Sequence, residues 1–256
     1  VSLVGFAANL LAIPWITLIV TPLALLGILA PPLWTVAAAC VQGLSSVLQA
    51  LSALPGAVWT AAAAPWWTQA AALGGAALLV MPLPWRLRAL ALPLMLPLFA
   101  PPIERPAEGA MQVTVADVGQ GSAILVRTRT HALLHDTGAQ YSLDSDAGSR
   151  VLVPLLRVLG VTRIDLLMLS HRDSDHVGGA AAVLAALPVT TLSSSLEASH
   201  PLLAARRHGR CEVGQPGSSW QWDGVRFEVL HPHAEDYARI DAKPNTMSCV
   251  LAVTDA

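Results

Sequence analysis

The sequence predicts a membrane segment of α-helices followed by a mixed α/β domain that lives in water. Three observations carry this. Every Asp and Glu lies at Glu104 or later, and residues 1–103 carry only Arg86 and Arg88 as charged side chains. Before that boundary apolar residues run almost unbroken, and after it stretches of period two alternate with stretches of helical period. Between a short apolar run and a helical pattern stands a dense polar loop, Ser170-His171-Arg172-Asp173-Ser174-Asp175-His176-Val177-Gly178-Gly179. Strand-to-helix loops are where α/β folds commonly place their sites. The expected division is residues 1–103 membrane helices, 104–110 linker and 111–256 soluble domain.

The 54% hydrophobic and 12% charged content is far from that of an ordinary soluble protein, which is what a membrane half contributes. Residues 4–30 are apolar over more than the ~20 positions needed to cross the hydrocarbon core. Pro14 and Pro22 are expected to kink this run, and Asn9 to hydrogen-bond a neighbouring helix rather than line a pore. Leu33 to Leu54 has apolar residues at helical spacing with Gln42, Ser45, Ser46, Gln49 and Ser52 among them. It reads as a second span with a polar seam or as a helix lying in the interface. Trp59, Trp66 and Trp67 around Pro65 read as an aromatic belt. Gln69 to Met81 and Leu87 to Ile103 are short apolar segments flanking a turn that holds Arg86 and Arg88. The positive-inside rule puts that turn in the cytoplasm and the soluble domain, one span later, on the periplasmic or extracellular side. The chain begins at Val1 with no cleavable signal, so the expectation is a fragment of a longer protein.

Pro101, Pro102 and Pro106, with Glu104, Arg105 and Glu108, make the linker. Gln112 to Val118 alternates as a strand, Ala123 to Thr128 and Ala132 to Leu134 read as a hairpin, and Val151 to Leu159 as an amphipathic helix ending at Gly160. Ile164 to Leu169 is a buried strand and Ala180 to Leu187 a helix. Ala198 to Cys211, with Arg206, Arg207, His208 and Arg210, reads as a solvated helix end, with a DNA-backbone contact as the lesser reading. Trp220 to Leu230 reads as two strands joined by Asp223-Gly224, and Ser248 to Thr254 as a final strand. His131, His135 and His231 read as structural. Cys211 and Cys249 either pair, if the domain lies in an oxidising compartment, or stay as buried thiols. With 13 Arg and Lys against 17 Asp and Glu, the soluble part is acidic, so charge alone gives no support for nucleic acid as a ligand.

The polar loop offers His-x-Asp-x-Asp-His. Residues at alternate positions of an extended turn point to one side, and the adjacent Asp175-His176 pair can divide between two centres. The spacing suits two divalent metals, with His171 and Asp173 on one and Asp175 and His176 on the other. Gly178 and Gly179 let the backbone turn tightly. Such a metal pair acidifies a water and clamps a displacement at phosphorus or an attack on a carbonyl. The alternative is a polar loop that caps the next helix.

The loop is similar to the His-x-His-x-Asp-His motif of the metallo-β-lactamase superfamily, with Asp173 where most members carry the second His. Together with Asp117-Val118-Gly119-Gln120-Gly121-Ser122-Ala123, it resembles the hydrolase domain of the ComEC family of bacterial DNA-uptake channels. Ala8 to Pro14 resembles the end of that family's membrane domain. The resemblance implies the first part of an αββα sandwich and a two-metal hydrolase, with Asp175 orienting the nucleophile as well as ligating. It implies a supporting role for Asp117, Gly119, Gly121, and the Asp136-Thr137-Gly138 turn, although Asp136 by itself is as well read as a turn former. Ser122 stands where many relatives have Asp. Asn245 and Ser248 match the family's Asn-x-x-Ser. Relatives continue into a Gly-Asp turn and a His-His-Gly-Ser segment that this sequence lacks, so an incomplete site is expected. Asp173 in place of an imidazole hardens the ligand set toward Mn²⁺ over Zn²⁺ or Mg²⁺. The implied function is cleavage of the non-transported DNA strand at the bacterial inner membrane, with two alternatives: a DNA-transport module whose hydrolase fold is catalytically silent, or a membrane-tethered hydrolase of another substrate such as a lactam or thioester. The implied partners are DNA, the membrane and other competence-machinery proteins.

Overall fold

A computed structural model describes residues 4–54, 62–203, 208–239 and 243–255. The chain forms two compact units, Val1–Thr60 and Ala61–Ala256.

In the first unit α1 (Gly5–Trp15), a π-helical turn (Ile16–Val20) and α2 (Thr21–Leu26) make one helical rod beside α3 (Pro32–Ser52). Pro14 lies inside α1, and the widened turn falls just ahead of Pro22, whose ring would otherwise press on the carbonyl one turn back. Rod and α3 are tied by Trp15 Nε1 donating to Cys40 O (3.2 Å) and Trp34 Nε1 donating to Ala24 O (2.9 Å). At 22 and 21 residues, both are long and apolar enough to cross a membrane. The expected interhelical bond of Asn9 is not made among the described residues; its side chain is exposed.

The second unit opens with a helical hairpin, α4 (Trp66–Val80), a short α5 (Trp85–Arg88) and α6 (Ala91–Phe99). Trp66 and Trp67 are exposed on it, and Trp59 lies outside the described residues. The Leu87 to Ile103 segment is thus not one helix. A nine-residue α6 is about 14 Å long, under half the ~30 Å hydrocarbon core. The topology argument from Arg86 and Arg88 therefore lacks the full span it assumed.

The remainder is layered. β1 (Gln112–Val115), β2 (Ile124–Arg127) and β3 (Ala132–His135) form an antiparallel meander. A minor pair, β4 (Gln140–Ser142) and β5 (Ser145–Asp146), leads through a π turn into α7 (Val153–Val158). Then come β6 (Ile164–Leu169), α8 (Ser174–Val177), α9 (Ala180–Ala186), β7 (Val189–Ser194) and β8 (His208–Arg210). The main sheet has the order β1-β2-β3-β6-β7-β8, with β3, β6, β7 and β8 parallel. A second sheet, β11-β10-β9, is built from β9 (Ser219–Trp222), β10 (Val225–His231) and β11 (Val250–Thr254).

Period two explains the layering. From Leu166 onward in β6, Leu167 and Leu169 enter one core with Leu156, Val183 and Leu184 of the helices, whereas Leu166 and Met168 enter another with Val225, Phe227 and Val229; Ile164, at the strand's start, departs from the alternation and joins the helical core. β3 divides likewise, Leu134 to the helical side and Leu133 to the second sheet. A strand buried on both faces reads as a continuous apolar run, which is how Ile164 to Leu169 looks. Helix layer, sheet and second sheet are the first three layers of the expected αββα sandwich.

Two boundaries differ from expectation, and one of the two readings of the cysteines is realised. β1 stops at Val115, since Asp117 accepts from Gly119 N at 3.1 Å and turns the chain away. The described residues of the Ala198 to Cys211 stretch form no α-helix but a 3-10 turn at Pro201–Leu203 and β8, which pairs with β7; Arg206 and Arg207 lie outside the described residues. Cys211 and Cys249 are bonded, with Cα atoms 6.0 Å apart, inside the range disulfides use.

Candidate metal centre

The polar loop lies at the C-terminal end of β6, and two turns hold it. One is Asp136-Thr137-Gly138 at the end of β3. Asp136 is buried and adopts φ 59°, a left-handed conformation that aims its carboxylate across to the loop. It accepts from Ser170 N (2.7 Å), Ser170 Oγ (2.8 Å) and His176 Nδ1 (2.7 Å). Burial works to raise its pKa, yet His135 at 3.5 Å and the hydrogen bonds from His176 and the Ser170 amide hold it well below the usual carboxylate range. Asp136 is thus more than a turn former: it fixes His176. The same bond raises the His176 pKa.

The second turn is Pro244–Met247, which delivers Ser248. Its hydroxyl donates to Asn245 O (2.9 Å) and stands 3.1 Å from His171 Nδ1. Ser170 Oγ lies 3.0 Å from the same nitrogen and donates to Asp136. Both hydroxyl protons being engaged elsewhere, His171 Nδ1 must be the donor, which fixes the tautomer and leaves a lone pair on Nε2. His171 is buried, and burial, then the charge of His176, lowers its pKa and keeps it neutral.

His171 Nε2 is buried without a hydrogen-bond partner and lies 3.4 Å from Asp173 Oδ2. Nε2 of His176 lies 3.7 Å from Asp175 Oδ2, and the two imidazoles are 4.1 Å apart. Each histidine thus has Nδ1 fixed by a neighbour and Nε2 turned toward a carboxylate oxygen. At His171, a lone pair facing a carboxylate asks for a cation between them, and metal-bound histidines are commonly held this way through the other nitrogen. The donor set is two His–Asp pairs, a chemistry that suits a divalent metal. Among the described residues, no group of three or more His, Cys, Asp or Glu gathers around one point. The capping alternative is not realised, since Asp173 holds the N-cap position of α8 but makes no side-chain cap bond.

Of the remaining motif residues, Gly121, Ser122 and Gly178 come closest to the loop's backbone. A Cβ on Gly121, at φ 110°, would fall 2.0 Å from Asp175 O, and Ser122 N donates to that carbonyl at 3.2 Å. Gly178 passes so close to Gln140 N that a Cβ would lie 2.1 Å away. Gly119 and Gly138 turn at positive φ, Gly179 abuts Gly148, and Asp117 is exposed in the first turn. Sequence reasoning missed Ser170, whose only signal was a hydroxyl residue next to His171, and His135, which lies 3.5 Å from Asp136 and reaches Cys249 O through Nε2. A cavity of about 250 Å³ opens beside His171, lined by Arg172, Glu197, Tyr237 and Arg239 among others.

This layered fold with its strand-end His-x-Asp-x-Asp-His loop defines a class, and the family model described as metallo-beta-lactamase superfamily matches residues 116–243. The chain belongs to that superfamily, a fold that implies divalent metal binding. A second family model, described as competence protein, matches residues 1–86, a pairing consistent with the ComEC family. The chain is similar to Competence protein ComA of Neisseria gonorrhoeae, at 36% identity over 98% of this chain and 34% of that protein. It is 32% identical to the uncharacterized protein YcaI of Escherichia coli strain K12, over 100% of this chain and 32% of that protein. It therefore spans about a third of the length of these relatives. Among solved structures, the metallo-beta-lactamase fold protein YhfI of Bacillus subtilis aligns at 16% identity and a TM-score of 0.33, covering 57% of this chain and 59% of that one.

Proposed function

We propose that this chain is the junction of a multi-pass DNA-internalisation protein of the bacterial inner membrane, active in natural transformation. Its metallo-β-lactamase-like domain cleaves phosphodiester bonds of the strand that is not transported. His171 and Asp173 hold one divalent ion and Asp175 and His176 a second, Mn²⁺ in preference to Zn²⁺ or Mg²⁺. The observation that carries this is the buried Nε2 of His171, unpartnered and facing Asp173 at 3.4 Å. When bound, the ions supply neutralising charge at the phosphate and a water acid enough to attack it. Asp175 orients that nucleophile and Asp136 keeps His176 Nδ1 protonated, while Arg172 and Arg239 line the cavity where a phosphodiester would approach. The Cys211–Cys249 bond supports a domain on the periplasmic or extracellular face, because such bonds persist in oxidising compartments. DNA, the membrane and the competence machinery are the partners of this reading.

A second reading, a DNA-guiding module without turnover, is favoured by the lack of a third ligand beside either pair among the described residues. Both are tested on the intact protein in a bilayer mimetic, given single- and double-stranded DNA with Mn²⁺ beside an Asp173→Ala/Asp175→Ala variant. Metal-dependent cleavage lost in the variant supports the nuclease. Folded, metal-loaded protein that cuts neither substrate selects the guiding module.

A further inference from the structure

At the end of the main sheet away from His171, near Ala132 and Asp165 where β3 and β6 begin, lies a cavity of about 320 Å³. β6 alone separates it from the metal loop by about 20 Å. Its lining includes Arg105, Arg127 and Arg163 against a single carboxylate, Asp165. That leaves a surplus of positive charge on a domain that is otherwise acidic. Arg163 is paired with Asp165 at 3.0 Å, whereas Arg127 has no carboxylate within ion-pair distance among the described residues. The Arg127 side chain is nine-tenths buried. One terminal nitrogen donates to Leu159 O (2.7 Å), the other to Gln112 Oε1, and Nε has no partner. A buried guanidinium satisfied only by neutral oxygens carries an uncompensated charge, which an anion in the adjoining cavity would offset.

The cavity is also lined by Ile103 and Pro106, the stretch through which the chain leaves α6. The α4–α6 hairpin presents Trp66, Leu73, Val80, Trp85, Leu92 and Leu96 outward, each more than 60% exposed. In water such a surface is unfavourable; in lipid it is satisfied. Arg127 also borders the smaller cleft where Ala62 to Pro65 enter the hairpin, and Ala63 N donates to Val158 O (2.7 Å) there. Arg127 therefore sits where both arms of an apolar helical hairpin meet the water-soluble layers, the place lipid headgroups would occupy with the hairpin in a bilayer.

We propose that this cavity binds the phosphate of an anionic glycerophospholipid and so fixes the domain against the membrane surface. The proposal uses the membrane placement of the functional reading and none of its metal chemistry. The test takes the intact protein into phosphatidylcholine nanodiscs, exchanges in phosphatidylglycerol, and counts retained lipids by native mass spectrometry. Wild type is expected to keep phosphatidylglycerol over phosphatidylcholine by about tenfold, and Arg105→Gln/Arg163→Gln, which spares the buried Arg127, to lose most of that preference. Unchanged insertion and melting of the variant establish that the loss is local. Equal retention of both lipids, or a preference the variant keeps, overturns the proposal. Displacement by millimolar inorganic phosphate would identify a free-phosphate site, and displacement by single-stranded DNA a nucleic-acid site; either overturns it as well. A protein that inserts but shows no selectivity sinks only this proposal, whereas one that fails to enter phosphatidylcholine nanodiscs sinks the membrane placement too.

Discussion

The hydroxyl of Ser248 stands 3.1 Å from Nδ1 of His171, across 77 residues of chain. It is one of two hydroxyls that set the tautomer of a buried imidazole. Ser248→Ala removes one acceptor while Ser170 Oγ remains at 3.0 Å, so folding should lose no more than about 1 kcal/mol. Divalent metal affinity of the intact protein, by isothermal titration, should fall about 10-fold or more, the usual effect of removing such a support. An unchanged affinity would mean that Ser248 does not support the His171 ring as a ligand.

The next residue along is half of the disulfide. Cys249 N donates to Ser170 O at 2.9 Å, and its own carbonyl accepts from His135, so the Cys211–Cys249 bond clamps the loop that carries Ser248. The cysteines are 38 residues apart, a closure worth roughly 4 kcal/mol in the chain-entropy picture. Cys249→Ser, or reduction of the native protein, should lower the urea midpoint markedly and weaken metal binding alongside. Matching midpoints with and without reductant would show that the thiols are not bonded in solution.

The loop motif, its strand and its helix were legible in the sequence because they are local. Ile164 to Leu169, the helix from Ala180 and the Asp223-Gly224 turn each announce themselves within a few residues. What was hidden depends on distant pairing. Ser170 matters through Asp136, 34 residues away, and β8 exists only because β7 offers an edge to a short polar stretch with no strand pattern of its own. The Leu87 to Ile103 segment misled for a related reason. Composition reports apolarity, but not the break between α5, ending at Arg88, and α6, which runs through Pro93 and Pro97 to Phe99.

Two glycines of the Asp-Val-Gly-Gln-Gly stretch should respond differently to alanine. Both have positive φ, but around Gly119 the space is open, whereas a methyl on Gly121 would meet Asp175 O at 2.0 Å. Gly119→Ala should therefore cost about 1 kcal/mol, from backbone conformation alone. Gly121→Ala adds an overlap with the metal loop's own backbone and should exceed about 3 kcal/mol, with metal binding lost. Denaturant unfolding of the pair checks the order, and equal effects would place the Gly121 turn away from Asp175.

Acid sensitivity should be built into the contact between the β2–β3 turn and the β9–β10 turn. Burial works to raise the pKa of Asp223, but bonds from the Thr128 hydroxyl (2.6 Å), the Thr130 amide (2.7 Å), the Thr130 hydroxyl and His131 outweigh it and hold the carboxylate well below its ordinary range. A folded-state pKa below the unfolded one contributes stability that is complete above the unfolded value, about 3.9, and is lost as pH falls through the folded one. Asp223→Asn keeps the shape and removes the charge, so it should be less stable than wild type at pH 7 by about 1 kcal/mol. The gap should narrow steadily below about pH 4, where wild type gives up the advantage that the amide never had. Melting temperatures of both proteins from neutral to acidic pH decide it: parallel curves would mean that the Asp223 carboxylate is no better bound in the folded protein than in water.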